Sequence, residues 1–575
     1  MPNARQGISD ISHICLGHGI RHAVISPGSR SAPLTLAFVA NPQFRCHSMP
    51  DERSAAYFAM GMAQQLQKPV VLVCTSGTAV ANYMPALAEA RYLKVPLLVL
   101  TADRPPEWID QNDGQTLRQE NIFVNVVKRS FQMPVETEKE NDLWYFNRSL
   151  NEAIAHCSLG NPGPVHINVP LREPLYSPLP QPSLPARIIH VVQGQPNLSH
   201  HTWETLQTTW QTLSRKWVVC GFSSKKEEPL NQLLSQMARQ YQLIVMAENL
   251  SNLQDAHFIH APERFMASLD PLQMEEFRPE LLITIGSAVL SKRLKKYLRQ
   301  YPPAQHWHID EHDLFIDTYQ SLSHNIRVSP HAFFQHMAPL AGSHPSWCQM
   351  LLNQDRLAAE RHAEYLNQAE FSDLTAYQEI LRQMPQGVIL HLANSTPVRY
   401  AQLFETSKHT AYFSNRGTSG IDGCVSTAAG AAAVTAELNL LLLGDLSFVY
   451  DSNGFWNPHL PNNLRVIVMD NGGGNIFKLI ETGPEADKIR PFIETPHQVS
   501  IQHLCAAFGL EYYPATSQEE LRRILPDFFK PNSRPVVLHI RTSGDVSAQV
   551  FKQYYQFISN NNEYEKKLDN TEGIQ

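Results

Sequence analysis

The sequence has no Cys-x-x-Cys pair, no block of basic residues and no apolar run approaching the roughly 20 residues that a bilayer-spanning helix needs. Each absence excludes something. The eight cysteines (15, 46, 74, 157, 220, 348, 424 and 505) are scattered, several of them inside apolar runs. That fits buried, reduced thiols in a cytoplasm and argues against a disulfide framework or a zinc site. The N-terminus, MPNARQGISDISHICLGHGI, lacks a charged head followed by an apolar core, so no signal peptide is expected. A net charge of −7 with no basic stripe argues against general nucleic-acid binding. Low-complexity sequence and short repeats are missing too. The first candidate for a dinucleotide fingerprint, GHG at 17–19, has no third glycine at position 22 and follows a helix-like segment, so that fingerprint fails.

What remains is a chain of 575 residues, 43% hydrophobic and 18% charged, which reads as a globular protein of about three domains. HAVIS (22–26), PVVLVC (69–74), VPLLVLT (95–101) and PVHINV (164–169) are short apolar runs rich in β-branched residues. Helical patterns such as SAAYFAMGMAQQL and AVANYMPALAEARYL lie between them, and the alternation predicts a parallel doubly wound sheet over 1–175. Four prolines between Tyr176 and Arg187 mark an extended linker. A second α/β block over 188–342 carries WVVCG, LIVMA, LLITIG and QHWHID as strands; a third spans 350–558, with VILHL and RPVVLHI near its ends. The segment 559–575 reads as a polar tail. The predicted fold class is therefore α/β, with three doubly wound parallel-sheet domains.

Within the third block, LLLGDLSFVYDSNGFWNPHLPNNLRVIVMDNGGGNIF presents two apolar strands, one ending at Gly444-Asp445 and one at Asn471-Gly472-Gly473-Gly474. Asp445 and Asn471 are 26 positions apart (471 − 445), about one strand-crossover-strand unit, so both ends are expected side by side at the C-terminal edge of a parallel sheet. A carboxylate, an amide oxygen and a glycine-rich backbone suit Mg²⁺ bound to a diphosphate, because hard cations take oxygen ligands and glycines admit phosphates closely. The bland alternative is a helix cap followed by a flexible turn. In the first block, CHSMPDERSAAYFAMGMAQQL sets Glu52 between a strand-like segment and an alanine-rich helix. There it is either a first-turn acid complementing the helix dipole or a sheltered carboxyl tuned for proton sharing.

ERSAA (52–56), TSGTAVAN (75–82) and GPVHINVP (163–170), in that order and ahead of the metal-diphosphate segment, resemble the thiamine diphosphate (ThDP) enzymes. In those enzymes the metal motif is usually Gly-Asp-Gly followed by Asn-Asn; here Leu446 and Asp470 depart from it. The finer motifs SPGSRSAPL (26–34), TADRPPE (101–107), SNRGTSGIDG (414–423), GDLSF (444–448) and NGGGNIF (471–477) resemble the 2-succinyl-5-enolpyruvyl-6-hydroxy-3-cyclohexene-1-carboxylate synthase (MenD) family, in which GDLSF replaces the general form. The resemblance covers the whole chain. It implies pyrimidine-binding, central and diphosphate-binding domains, and a homodimer or homotetramer with the cofactor between subunits. The implied reaction is decarboxylation of 2-oxoglutarate and 1,4-addition of the succinyl carbanion equivalent to isochorismate. Another ThDP-dependent 2-oxoacid decarboxylase or carboligase is the alternative.

Two dicarboxylate substrates in a net-acidic protein require several cations, and arginine binds planar carboxylates in bidentate fashion. The candidates are Arg30, Arg104, Lys292, Arg293, Arg399 and Arg416. By resemblance, Arg30, Arg104, Lys292 and Arg293 face isochorismate, whereas Ser395 and Arg399, four apart and so on one face of a helix, hold the distal carboxylate of 2-oxoglutarate. The resemblance also assigns Glu52 to the cofactor's aminopyrimidine and Ser29, Arg30 and Gln115 to the reacting carbons. It assigns Asp445, Asn471 and Gly473 to Mg²⁺ or Mn²⁺. Gly444, Leu446, Ser447 and Gly474 line the cofactor, Ile421 is its apolar wedge, and Ile476 and Phe477 form a wall over it. The chain carries Gly114-Gln115 where the family often has Asn-Gln, with Asn112 or Asp113 as possible stand-ins.

Overall fold

The computed structural model describes residues 3–180, 185–194, 196–312, 315–340, 342–405, 410–479 and 486–559. Part of the proline-bearing linker (181–184) and the polar tail beyond 559 lie outside the described residues.

Three parallel sheets follow one another along the chain. The first holds β1 (His22–Ile25), β2 (Arg45–Ser48), β3 (Val70–Cys74), β4 (Leu97–Asp103), β5 (Ser130–Gln132) and β6 (Val165–Pro170) in the order β2-β1-β3-β4-β6-β5. The second holds β7 (Lys216–Cys220), β8 (Ile244–Ala247), β9 (Leu281–Ile285), β10 (Gln305–Ile309) and β11 (His324–Ile326) in the order β11-β10-β9-β7-β8. The third holds β12 (Ile389–Leu392), β13 (Ala411–Phe413), β14 (Asn439–Gly444), β15 (Leu464–Asp470), β16 (Glu511–Ala515) and β17 (Val536–Arg541) in the order β13-β12-β14-β15-β17-β16. Counted from its own first strand, the third sheet repeats the order of the first.

The central strands of each sheet are buried on both faces, β3, β4, β7 and β9 along their whole length, which is why they read as unbroken apolar runs. The helical stretch read at 79–93 is two helices, Thr78–Ala81 and Met84–Tyr92, with Pro85 opening the second.

The helix after β2 (Glu52–Leu66) and the helix after β13 (Cys424–Ala432) occupy equivalent places in the two repeated sheets, and they lie against each other. Their backbones touch. A Cβ on Gly61 would sit 1.9 Å from the Thr427 carbonyl oxygen, and one on Gly430 would sit 2.0 Å from that of Phe58. Alanine-rich, glycine-notched faces make this approach possible, and one apolar cluster runs through both domains. Tyr57 Oη donates to Asp422 Oδ2 at 3.0 Å across the same seam. The C-terminal edge of the first sheet is thereby set in fixed relation to that of the third.

Candidate active site

The two strand ends singled out in the third block are neighbours. β14 pairs with β15, with Gly444 opposite Met469, and the chain then turns into Asp445 on one side and Asn471-Gly472-Gly473 on the other. Asp445 opens the short helix Asp445–Tyr450; its Oδ1 accepts Leu446 N at 2.7 Å, and its Oδ2 accepts Gly473 N at 2.8 Å and Gly472 N at 3.1 Å. Gly472 (φ +84°) and Gly473 (φ +136°) hold backbone that only glycine adopts without strain. Ser447 Oγ donates to the Ile421 carbonyl at 2.9 Å, which ties the GDLSF segment to the SGIDG loop. Ile421 stands in that loop, ahead of the helix that starts at Cys424; Ile476 and Phe477 form a half-buried 3₁₀ turn beside the glycines.

Asn471 Nδ2 donates to Asp373 Oδ2 at 2.7 Å, and among the described residues Oδ1 of Asn471 has no hydrogen-bond partner. Asp373 is 1% exposed and also accepts from Thr542 Oγ1. A buried acid thus orients the amide so that its oxygen is the atom presented at the strand end. Burial, with Asp470 nearby, raises the Asp445 carboxyl above the usual carboxylate range. His497 adds a ring nitrogen 3.4 Å from Asp445 Oδ2.

A second set gathers on the edge of the first sheet. Asp51 caps the helix Glu52–Leu66 by accepting Ser54 N at 3.0 Å, so Glu52 is not needed as the cap. Burial raises the Glu52 carboxyl above its usual range, offset in part by its own backbone N–H. Gln115 (φ +60°) exchanges hydrogen bonds with Ser76: its Nε2 donates to the Ser76 carbonyl and its own carbonyl accepts Ser76 Oγ, both at 3.0 Å. Arg104 donates to the Gly114 carbonyl at 2.8 Å and pairs with Asp113 at 3.4 Å. Arg30, 6% exposed, donates to the Leu171 carbonyl and lies 3.4 Å from Glu173, with Ser29 preceding it in the same loop. A Cβ on Gly114 would meet nothing within 4 Å.

The third set lies between the second and third sheets. Arg399 donates to the Ser395 carbonyl, and Arg416 Nη1 donates to Asn394 Oδ1 at 2.7 Å. Ser395 is the residue before the helix Thr396–Ala401, not part of it as the spacing suggested, and its φ of +75° is strained for a non-glycine residue. Burial lowers the pKa of both guanidiniums, and for Arg416 nearby Arg399 adds to the effect. Arg293 pairs with Glu263 at 3.5 Å and stacks on Tyr555 at 4.5 Å, while Lys292 is exposed. Arg416 also lines a cavity of about 600 Å³ at the C-terminal edge of the second sheet, away from the glycine turn.

Within one chain the predicted residues therefore lie on two sheet edges, with Lys292 and Arg293 apart from both at the start of the helix Lys292–Gln300 in the second domain. Ser29, Arg30, Glu52, Arg104 and Gln115 share the edge of the first sheet. Ser395, Arg399, Arg416, Ile421, Gly444–Ser447 and Asn471–Phe477 share that of the third. Among the described residues, no hydrogen bond or ion pair joins Glu52 to the Asp445 set.

A model described as "Thiamine pyrophosphate enzyme, N-terminal TPP binding domain" matches residues 5–122, and one described as "Middle domain of thiamine pyrophosphate" matches 270–392. A 2-succinyl-5-enolpyruvyl-6-hydroxy-3-cyclohexene-1-carboxylate synthase from Porphyromonas gingivalis is 39% identical, covering 96% of this chain and 97% of that protein. Proteins of the same name from Desulfotalea psychrophila (39%; 93% of this chain, 98% of that one) and Flavobacterium johnsoniae (36%; 96% and 98%) match as fully. The chain belongs to the 2-succinyl-5-enolpyruvyl-6-hydroxy-3-cyclohexene-1-carboxylate synthase family. Membership makes it a thiamine diphosphate-dependent transferase.

Sequence reading missed several residues that this synthase fold sets around the edges. Asp373, 98 positions before Asn471, shows in the sequence only as a helix-start acid. Glu89, 1% exposed, accepts the N–H groups of Gly417 and Thr418 and fastens the Arg416 loop to the first domain. His497 and His539 sit in segments with no motif at all; a histidine inside the apolar run VVLHI was the one available signal.

Proposed function

We propose that the chain decarboxylates 2-oxoglutarate and joins the remaining four-carbon unit to isochorismate by 1,4-addition. The products are 2-succinyl-5-enolpyruvyl-6-hydroxy-3-cyclohexene-1-carboxylate and CO₂, a step of menaquinone biosynthesis. The observation that carries this reading is the sharing of one sheet edge by two kinds of chemistry. Half-buried Arg399 and Arg416 follow β12 and β13, on the same sheet edge as Asp445, Asn471 and the glycine turn after β14 and β15, so a dicarboxylate and a diphosphate can meet there.

The residues fit a divalent cation and a diphosphate. Asp445, the free oxygen of Asn471 and the Gly473 carbonyl are all hard oxygen donors, and the open turn at Gly472 admits phosphate. In this reading Asp445, Asn471 and Gly473 hold Mg²⁺ or Mn²⁺, with Gly444, Leu446, Ser447 and Gly474 around the diphosphate. Ile421, Ile476 and Phe477 shield the thiazolium from water. When bound, thiamine diphosphate supplies acyl-anion chemistry. Glu52, with a pKa already raised by burial, gives and takes the proton at the aminopyrimidine. Ser395 and Arg399 hold the distal carboxylate of 2-oxoglutarate. Arg30, Arg104, Lys292 and Arg293 receive isochorismate, and Ser29 and Gln115 orient the reacting carbons.

Among the described residues no hydrogen bond or ion pair joins Glu52 to Asp445, which supports a homo-oligomer in which the first domain (1–175) of one subunit meets the diphosphate-binding domain (350–558) of another around the central domain (188–342). Eight free cysteines support a cytoplasmic site of action. Among the described residues, no helix is long and apolar enough to cross a membrane.

The test is product formation from 2-oxoglutarate with ThDP and Mg²⁺, with and without isochorismate. An isochorismate-dependent adduct of the expected mass, with CO₂ release, supports the synthase. CO₂ release without adduct would replace it with a 2-oxoacid decarboxylase or carboligase of different second substrate.

A further inference from the structure

Asp470 is the residue by which this chain departs from the usual Asn-Asn pair, and it sits at the centre of a hydrogen-bonded chain across three adjacent strands. His539 Nε2 lies 2.8 Å from Asp470 Oδ2, and Tyr512 Oη lies 2.8 Å from His539 Nδ1. Tyr512 is on β16, His539 on β17 opposite Val468, and Asp470 closes β15. His539 is 1% exposed, and its partners Asp470 and Tyr512 are half-buried. At the other end, the Gly472 N–H is shared: Asp470 Oδ1 accepts it at 3.2 Å and Asp445 Oδ2 at 3.1 Å.

Two carboxylates converge on one N–H at the turn that carries Asn471 and Gly473. An asparagine at 470 could sit beside Asp445 without repulsion. An aspartate needs a partner that holds its second oxygen away from Asp445. A carboxylate oxygen only accepts, so the His539 Nε2–H donates to Asp470, while the Tyr512 hydroxyl holds the other ring nitrogen, Nδ1. We propose that His539 is a positioning residue of the diphosphate-cation cradle, fixing the Asp470 carboxylate and through it the Asn471–Gly473 turn. The proposal rests on the reading of that turn as the cradle.

The experiment titrates Mg²⁺ and ThDP into cofactor-free protein by calorimetry, with kcat at saturating cofactor as a second readout. Wild-type binding tests the cradle itself; if it fails, the cradle and this proposal fall together. Given that binding, His539→Leu is expected to weaken cofactor affinity about 10- to 100-fold, the usual cost of losing such a supporting partner, while kcat at saturation stays within about threefold. Asp470→Asn in the His539→Leu background is expected to restore most of the affinity, because the unpaired charge is gone. Unchanged affinity in His539→Leu, or a double variant as weak as the single, would overturn the proposal and make His539 a packing residue of β17. If His539→Leu fails to fold, Tyr512→Phe carries the test: weaker cofactor binding with kcat retained supports the chain, and unchanged binding overturns it.

Discussion

Glu52→Gln separates two readings of one carboxyl. If Glu52 were only a first-turn acid, its removal would cost about 0.3–1 kcal/mol of stability and nothing in rate. The structure weakens that reading, because Asp51 already caps the helix and bonds Asn453 Nδ2 at 2.8 Å. Burial has raised the Glu52 carboxyl, so an isosteric amide relieves desolvation and leaves the helix start intact. A positioned acid–base group contributes about 10²- to 10⁴-fold, equivalent to about 2.7–5.4 kcal/mol of transition-state stabilisation. The expected outcome is loss of that factor in kcat, with unfolding midpoint and ThDP affinity near wild type. The assay follows loss of isochorismate absorbance at saturating 2-oxoglutarate, ThDP and Mg²⁺, beside a cofactor titration. A kcat within about threefold of wild type, with the protein folded and loaded, would refute the proton-transfer role.

Arg399→Ala is expected to lower kcat/KM for 2-oxoglutarate by about ten- to a thousandfold while leaving the KM for isochorismate unchanged; an unaltered 2-oxoglutarate dependence moves the carboxylate contact elsewhere. Gly430→Ala tests the helix seam. Helix propensity alone favours alanine by about 1 kcal/mol, but the new Cβ would meet Phe58 backbone, so net destabilisation of about 1–3 kcal/mol is expected in urea melts. An unchanged or raised midpoint refutes the backbone contact. Asp451 is fully buried, accepts Ser426 N (2.7 Å) and Ser426 Oγ (2.8 Å), and burial pushes its carboxyl up to about 7. Its proton therefore stabilises the fold fully below the unfolded carboxylate pKa near 3.9, and that stabilisation is lost as pH rises through about 7. In Asp451→Asn this dependence disappears, so the stability of the variant relative to wild type should climb between about pH 4 and pH 7 and level off above that; a flat difference refutes the assignment.

The strands were legible in proportion to their burial. Central strands such as VVLVC and LLITI have no solvent face, so composition alone reveals them. Four edge strands were not read. FQ within Ser130–Gln132, HNI, AYF and EYYPA are short, half-exposed or polar, as expected where a strand has a neighbour on one side only. Edge strand β8 was read because all four of its residues are buried. The site divided in the same way. Asp445, Asn471 and the glycines could be read because strand ends and turn chemistry are local. Asp373, Glu89 and His539 act through contacts 98, 328 and 69 positions away, and no periodicity reports such distances. Ser395 misled because its four-residue spacing to Arg399 looks helical, whereas its left-handed backbone places it outside the helix.

The repeated strand order gives these observations a common cause. Two sheets of one topology present equivalent C-terminal edges, and the helices that follow their second strands meet through Gly61 and Gly430. Equivalent edges need not carry equivalent chemistry. The first offers an acid at a helix start and arginines in two loops; the third offers oxygen donors, a glycine turn and half-buried guanidiniums. In the proposed reading proton transfer needs the acid near a cofactor held by the other edge, yet the seam inside one chain joins helix flanks, and among the described residues no hydrogen bond or ion pair links Glu52 to the Asp445 set. A second copy related by a twofold axis would bring each first-sheet edge to a third-sheet edge twice over. Dilution that separates subunits should then abolish turnover while each chain stays folded, and activity independent of protein concentration down to a proven monomer would defeat this account.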